Sequence, residues 1–186
     1  MSDSKKNPWK TISSNVEYDN AWIKVTEHKV LNAAGNDGIY GVVHFKNIAI
    51  GIIPLDENNN TWLVGQHRFP LNQFSWEICE GGGKHNIDPI ESAKRELLEE
   101  LGIKANNWSK LLDMHLSNSV SDEVGIVYVV KDLEYFEPEP DEDEVLTLKK
   151  IHINDAYEMV MNGGITDSLS VAGILKTKIL IDNKQI

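Results

Sequence analysis

An α/β fold of the α+β kind, with a mixed sheet flanked by helices, is what the sequence predicts, and three observations carry it. Ile48 to Leu55 is a continuous apolar run, as a strand covered on both faces requires. Asp88 to Leu101 has helical periodicity between a capped start and a glycine stop. Strand-like and helix-like segments are mixed along the chain, without the regular alternation of a parallel βαβ sheet.

In chain order, residues 1–8 read as a loose polar tail. The stretch from Trp9 to Phe45 suggests short strands, Ala21 to Val30 and Gly38 to Phe45. An Asn- and Gly-rich turn around Asn32 to Asp37 joins them into a small antiparallel β region. After the central strand at Ile48 to Leu55, Asn58-Asn59-Asn60 turns the chain into a strand at Thr61 to Phe69, and Trp76 to Ile78 adds a short one. The helix at Asp88 to Leu101 has Asp88 as N-cap, Pro89 at the first position and Glu91 at the third, a capping-box-like start. Gly125 to Val130 reads as a buried strand. Glu137 to Glu144, with Pro138, Pro140 and a run of acids, reads as a solvated loop rather than a metal site. A strand at Val145 to Ile153 precedes a helix at Asn154 to Met161, stopped by Gly163-Gly164, and a last helix spans Asp167 to Ile181. The expected division is residues 1–45 for the tail and N-terminal β region and 46–186 for the main domain.

Composition narrows the function. With 186 residues and 41% hydrophobic content the chain can bury a sizeable core. A net charge of -11 and a pI near 4.9 argue against nonspecific nucleic-acid binding and against an anionic membrane surface. A small phosphorylated substrate stays possible, because a bound metal inverts the local sign of charge. Cys79 is the only cysteine, so no intrachain disulfide can form; it fits a cytoplasmic setting and reads first as a small buried apolar side chain. Met1 to Lys6 is polar, without the apolar core of a signal peptide, and no run approaches the ~20 apolar residues of a membrane helix.

The chemistry concentrates in Arg95-Glu96-Leu97-Leu98-Glu99-Glu100-Leu101-Gly102-Ile103. At about 100° per residue, Glu96, Glu99 and Glu100 share one side of the helix, with Ile90, Ala93, Leu97 and Leu101 roughly opposite. Such carboxylates repel one another unless a cation neutralises them, and a hard divalent ion prefers oxygen ligands. The plainer reading is a solvated helix with pairs such as Glu91–Arg95 and Glu100–Lys104. Gly81 to Gly83, read as a turn leading into the capped helix, lets backbone carbonyls and amides approach a metal or a phosphate, with Gly82 the candidate substrate contact.

Together these residues resemble the Nudix hydrolase family. Its signature is a glycine, five residues, Glu, seven residues, then Arg-Glu-apolar-x-Glu-Glu-x-Gly-apolar; Gly81 takes the first place and Arg95 to Ile103 the second half without a gap. The departure is Ile87, which stands where the family has a Glu that braces the arginine. The resemblance implies an α/β/α sandwich. It also implies Mg²⁺ or Mn²⁺ held by Glu96, Glu99, Glu100 and the backbone carbonyl of Glu80, with Arg95 orienting the carboxylates and Glu99 counted with the catalytic groups.

Gln66-His67-Arg68-Phe69-Pro70 and Trp76-Glu77-Ile78 are similar to the subgroup that cleaves ADP-ribose and other nucleoside diphosphate sugars. By that likeness Arg68 holds a phosphate or terminal ribose, and Glu77 either supports the metal shell or pairs with a base. Leu116 to Glu123 resembles the subgroup's mobile loop, with Glu123 as general base or closure-dependent metal contact and Asp122 a weaker candidate. Asn118 replaces a proline associated with ADP-ribose preference, which favours a broader range of sugars. The same likeness implies that Trp22 stacks on the base, unless it serves as a core or interface tryptophan, and that the N-terminal strands build a homodimer. Ile165-Thr166-Asp167-Ser168 also resembles the subgroup's C-terminal pattern. The activity implied is hydrolysis of the diphosphate bond to a nucleoside monophosphate and a sugar phosphate. The alternatives are a pyrophosphohydrolase of nucleoside triphosphates or dinucleoside polyphosphates, and a noncatalytic nucleotide-sugar sensor.

Overall fold

A computed structural model describes residues 6–139 and 145–186. Most of the expected acidic loop Glu137 to Glu144, and the start of the expected tail, lie outside the described residues. The chain divides into two compact units. One comprises the chain up to Asn47 together with His115–Glu123, and the other comprises Ile48–Met114 and Val124–Ile186.

In the first unit β1 (Lys10–Asp19), β2 (Ile23–Leu31) and β3 (Asp37–Phe45) form an antiparallel sheet in that order. The β2–β3 hairpin runs in unbroken register from Ile23 opposite Phe45 to Leu31 opposite Asp37. Its turn is closed by Asn32, whose Oδ1 accepts the N–H groups of Ala34 at 2.9 Å and Asn36 at 3.0 Å, while Gly35 takes a left-handed φ of 83°. β1 is exposed along its whole length and slips register twice against β2.

The second unit holds β4 (Asn47–Pro54, Asn47 itself excepted), β5 (Asn60–Arg68), β6 (Gln73–Glu77), β7 (Cys79–Lys84), α1 (Pro89–Leu101), β8 (Ile103–His115, less its last residue), β9 (Val124–Tyr135), β10 (Thr147–His152), α2 (Ile153–Met161) and α3 (Ser168–Asp182). A four-stranded sheet is ordered β7-β4-β9-β8, with β4 and β9 parallel, and a three-stranded antiparallel sheet is ordered β10-β5-β6. This is the mixed sheet that the sequence predicts.

The apolar run of β4 is explained by its two covered faces. Ile50 and Ile52 join Cys79, Ala93, Leu97 and Leu101 in one cluster against α1. The alternate position, Ile53, points the other way, with its Cδ1 beside Gly173 of α3, where Val127 and Ile78 also meet that helix. The unit is thus helix, sheet and helix in layers. Among the described residues no helix is long and apolar enough to cross a membrane.

Local chemistry sets the ends of α1. The Asp88 side chain accepts the Ile90 N–H at 3.1 Å, Pro89 opens the helix, and Gly102 closes it with a left-handed φ of 62°. Glu91 pairs with Lys94 at 2.8 Å rather than with Arg95. Asp167 likewise caps α3, accepting the Ser170 N–H at 2.8 Å.

Three strands differ from expectation. β1 and β8 were not anticipated; both are sheet edges with mostly exposed side chains, so neither carries a clean apolar alternation. Gly81 to Gly83 are not a turn but the middle of β7. Their missing side chains let α1 lie close to the strand: a Cβ on Gly81 would overlap the Glu96 side chain, and one on Gly83 would crowd Ile50 and Ser92.

Candidate active site

The close approach of α1 to β7 builds the site. Ser92, Ala93, Leu97, Glu100 and Leu101 are its buried residues. Glu100 is only 3% exposed, a rare state for a carboxylate without specific partners. Its Oε2 accepts the backbone N–H of Glu80 at 3.3 Å. One turn earlier, Glu96 Oε1 accepts the N–H of Gly82 at 3.2 Å. Two carboxylates are therefore held by successive outward N–H groups of one glycine-rich strand, which only a Cβ-free neighbour permits.

Arg95 binds the cluster together. It donates through Nη1 to Glu99 Oε2 at 2.5 Å, through Nη2 to Glu96 Oε1, and at 3.4 Å to the carbonyl of Gly82. Lys104 Nζ lies over the Phe136 ring, 4.6 Å from the centroid. The solvated-helix reading accordingly fails for Glu96 and Glu100, which turn inward. Ile87 sits half-exposed in the turn before α1, its N–H donating to the Lys84 carbonyl at 3.0 Å, so Arg95 is braced by the carboxylates and by Gly82 instead of by a residue at 87.

Burial pushes the Glu96 carboxyl above its usual range, against the pull of Arg95, and the charge of Glu99 adds to the rise. The buried Cys79 thiol is raised well up, by burial first and then by the neighbouring charge of Glu100. Glu96 and Glu99 share the one Arg95 guanidinium, and a divalent cation with oxygen ligands would relieve the negative charge left between them. The donor set fits such an ion. The arrangement is not a finished cage: among the described residues no three acidic, His or Cys side chains already converge as a metal site. Arg95 occupies one oxygen of Glu96 and one of Glu99, which leaves the second oxygen of each for a metal.

A second network adjoins Glu80. Arg68 grips Glu77 side-on, with Nε 2.9 Å from Oε1 and 3.1 Å from Oε2, and Nη2 also donating to Oε2. Glu77 is 2% exposed, so it pairs with a base, and this hydrogen bonding is the main reason the guanidinium is held even more firmly protonated than usual. Arg68 Nη2 is also 3.9 Å from Glu80 Oε2. Glu80 Oε1 accepts the Ser170 hydroxyl at 2.8 Å, and Ser170 Oγ in turn accepts the Ile78 N–H at 3.0 Å. Burial, then the facing Asp167 carboxyl, raise Glu80 well above its usual range. Burial works against ionised Asp167 too, but hydrogen bonds from Glu80 and Ser170 outweigh it and leave Asp167 lowered. Sequence reasoning took Asp167 as a helix start and as part of the subgroup's C-terminal pattern, and it passed over Ser170, whose burial no local pattern reveals.

The structure brings Glu80, Gly82, Arg95, Glu96, Glu99 and Glu100 together on α1 and β7, with Arg68 beside Glu80. Trp22 and Glu123 belong to the other unit. Trp22 is 69% exposed, its N–H donating to Asn20 Oδ1 at 2.8 Å. Glu123 is half-buried, and burial raises its carboxyl above the usual range. Asp122 is already engaged, accepting from His44 Nδ1 at 2.6 Å and from the Phe45 N–H at 3.1 Å.

Residues 45–165 match the NUDIX domain and residues 9–43 the nucleoside diphosphate sugar hydrolase N-terminal domain. The chain belongs to the Nudix family and is a hydrolase, a class whose members generally use divalent metal ions. It is 32% identical over 174 residues to the ADP-ribose pyrophosphatase of Mycobacterium tuberculosis (strain ATCC 25618 / H37Rv), covering 90% of this chain and 82% of that one. It is 30% identical over 128 residues to the methanol dehydrogenase activator of Bacillus methanolicus, covering 68% and 69%. A crystal structure of an ADP compounds hydrolase superposes with a TM-score of 0.84 over 95% of each chain at 16% identity, which shows the shared Nudix sandwich.

Proposed function

We propose that this hydrolase splits the diphosphate of a nucleoside diphosphate sugar, ADP-ribose included, into a nucleoside monophosphate and a sugar phosphate, with Mg²⁺ or Mn²⁺ as its metal. The observation that carries the chemistry is the packing of Glu96 and Glu100 onto the N–H groups of Gly82 and Glu80, with Glu99 joined to them through Arg95. The substrate class is supported by the matched N-terminal domain and by the mycobacterial relative.

Glu96, Glu99, Glu100 and the Glu80 carbonyl would hold the metal. Bound there, such an ion would offset the charge of the diphosphate and lower the pKa of the attacking water. Arg95 keeps Glu96 and Glu99 on the β7 side of the helix. Gly82 offers backbone to the phosphate without a side chain in the way. Arg68 uses Nε and Nη2 on Glu77, which leaves Nη1 without a hydrogen-bond partner among the described residues; that nitrogen donates to a phosphate or ribose oxygen. Water bonds to one phosphorus, the bridging oxygen leaves on the other phosphate, and Glu123 takes the proton. A carboxyl raised by burial suits that task better than a fully solvated one. Trp22 stacks on the base. A homodimer through the N-terminal sheet is supported by the exposed Ile12, Val16, Tyr18 and Ile39, and the cytoplasm is the proposed location.

A substrate panel with Mg²⁺ and identified products tests this. ADP-ribose and related nucleoside diphosphate sugars should be turned over in preference to ATP and dinucleoside polyphosphates. Preference for the triphosphate would overturn the substrate class. Tight ADP-ribose binding without product would make the protein a sensor, the reading that Ile87 favours.

A further inference from the structure

The loop that carries Glu123 is fastened to the N-terminal sheet by more contacts than a connecting loop needs. β3 is an edge of the β1-β2-β3 sheet, so its outer N–H and C=O groups lack a neighbouring strand. The loop supplies one. Val43 donates its N–H to the Val120 carbonyl at 2.8 Å, and the Asp122 N–H returns to the Val43 carbonyl at 3.2 Å, a parallel bridge between Val43 and Ser121. Three side-chain ties flank this bridge. The Tyr40 hydroxyl donates to the Ser119 carbonyl at 2.7 Å, His44 Nδ1 meets Asp122 Oδ2 at 2.6 Å, and Asp122 Oδ1 takes the Phe45 N–H at 3.1 Å. Tyr40 and His44 are four residues apart on one strand and so project to the same face.

The loop is also closed on itself. Ser117 accepts the N–H groups of Val120 at 3.1 Å and Ser121 at 2.9 Å, and at the neck the Leu116 N–H lies 3.5 Å from the Glu123 carbonyl. The Ser121 hydroxyl lies 3.4 Å from the Glu123 N–H. A segment closed at its neck and pinned at Ser119, Val120 and Asp122 fixes where its next residue begins. That residue is Glu123.

We propose that Tyr40 and His44 are positioning residues for Glu123: through Ser119 and Asp122 they clamp its loop onto β3 and so hold the carboxylate in place. This rests on the reading in which Glu123 serves the attacking water. It gives Asp122 the task of an anchor rather than of a base, and it gives the N-terminal sheet a task within its own chain, separate from any contact with a second copy.

The test is the double variant Tyr40→Phe/His44→Ala, with His44→Asn, which keeps an N–H donor, as the conservative variant. The Tyr40 and His44 ties are removed together, leaving only the Phe45 N–H on Asp122, because one exposed pair alone holds little. Amide exchange across residues 116–123 should rise in the double variant while α1 and β7 keep their protection. Turnover should fall about tenfold with KM changed less than about twofold, a fraction of what a misplaced base can cost. His44→Asn should stay within about twofold of wild type. Wild-type exchange and wild-type kcat in the double variant, alongside loss of turnover in Glu123→Gln, would overturn the clamp. Wild-type kcat in Glu123→Gln would overturn the underlying role of Glu123, and the exchange data would then still decide whether Tyr40 and His44 fasten the loop.

Discussion

Glu100→Gln should lose about 10²- to 10³-fold in turnover while keeping the fold. Glu100 is the most deeply buried of the three helix carboxylates, and its Oε2 is occupied by the Glu80 N–H. Gln has the same shape and can accept the same hydrogen bond, so the backbone of β7 stays where it is. What disappears is one negative charge among the three helix carboxylates. Two effects on stability oppose each other. Removing a charge from beside Cys79 and Glu96 relieves repulsion. The new amide puts N–H donors where an acceptor oxygen stood, a cost of about 1–3 kcal/mol if they find no acceptor. The net change in melting midpoint in metal-free buffer should therefore stay within about 4 °C. Steady-state kinetics with Mg²⁺ and a thermal melt in chelator measure both sides. Wild-type-like turnover would remove Glu100 from the metal assignment.

Gly81→Ala should lower turnover about 10- to 100-fold with little loss of stability. The added methyl would overlap the carboxylate end of Glu96. Gly81 does not have the left-handed φ that would strain an alanine. The clash therefore falls on the tip of a flexible side chain, which swings away cheaply. That swing breaks the hydrogen bond from Gly82 and pulls Glu96 out of reach of Arg95 as now arranged. A structural glycine gives the opposite outcome, a large drop in melting midpoint with activity intact in the folded fraction. Kinetics, melting midpoint and metal titration on one preparation separate the two cases.

How much of this was readable in the sequence depends on how local each cause is. α1 was readable in full because its N-cap, its proline, its periodicity and its C-terminal glycine all lie within fifteen residues. β4 was readable because both of its faces are buried. β1 and β8 were not, since an exposed edge strand needs no apolar pattern and is defined by a partner distant in sequence. The glycines of β7 were misread as a turn because glycine signals loops more often than strands; here it signals a helix pressed against backbone. In the site, the Arg95–Glu99 pair follows from helical spacing. The link from Ser170 to Glu80 joins residues 90 positions apart, and that from His44 to Asp122 joins residues 78 apart, so no window of sequence contains either.

The most direct test of the account is anomalous diffraction from crystals soaked with Mn²⁺ and a nonhydrolysable ADP-ribose analogue. The account predicts a manganese peak about 2.0–2.3 Å from oxygens of Glu96, Glu99 and Glu100, with the diphosphate on its far side. A peak elsewhere, with the three carboxylates unligated, would contradict it.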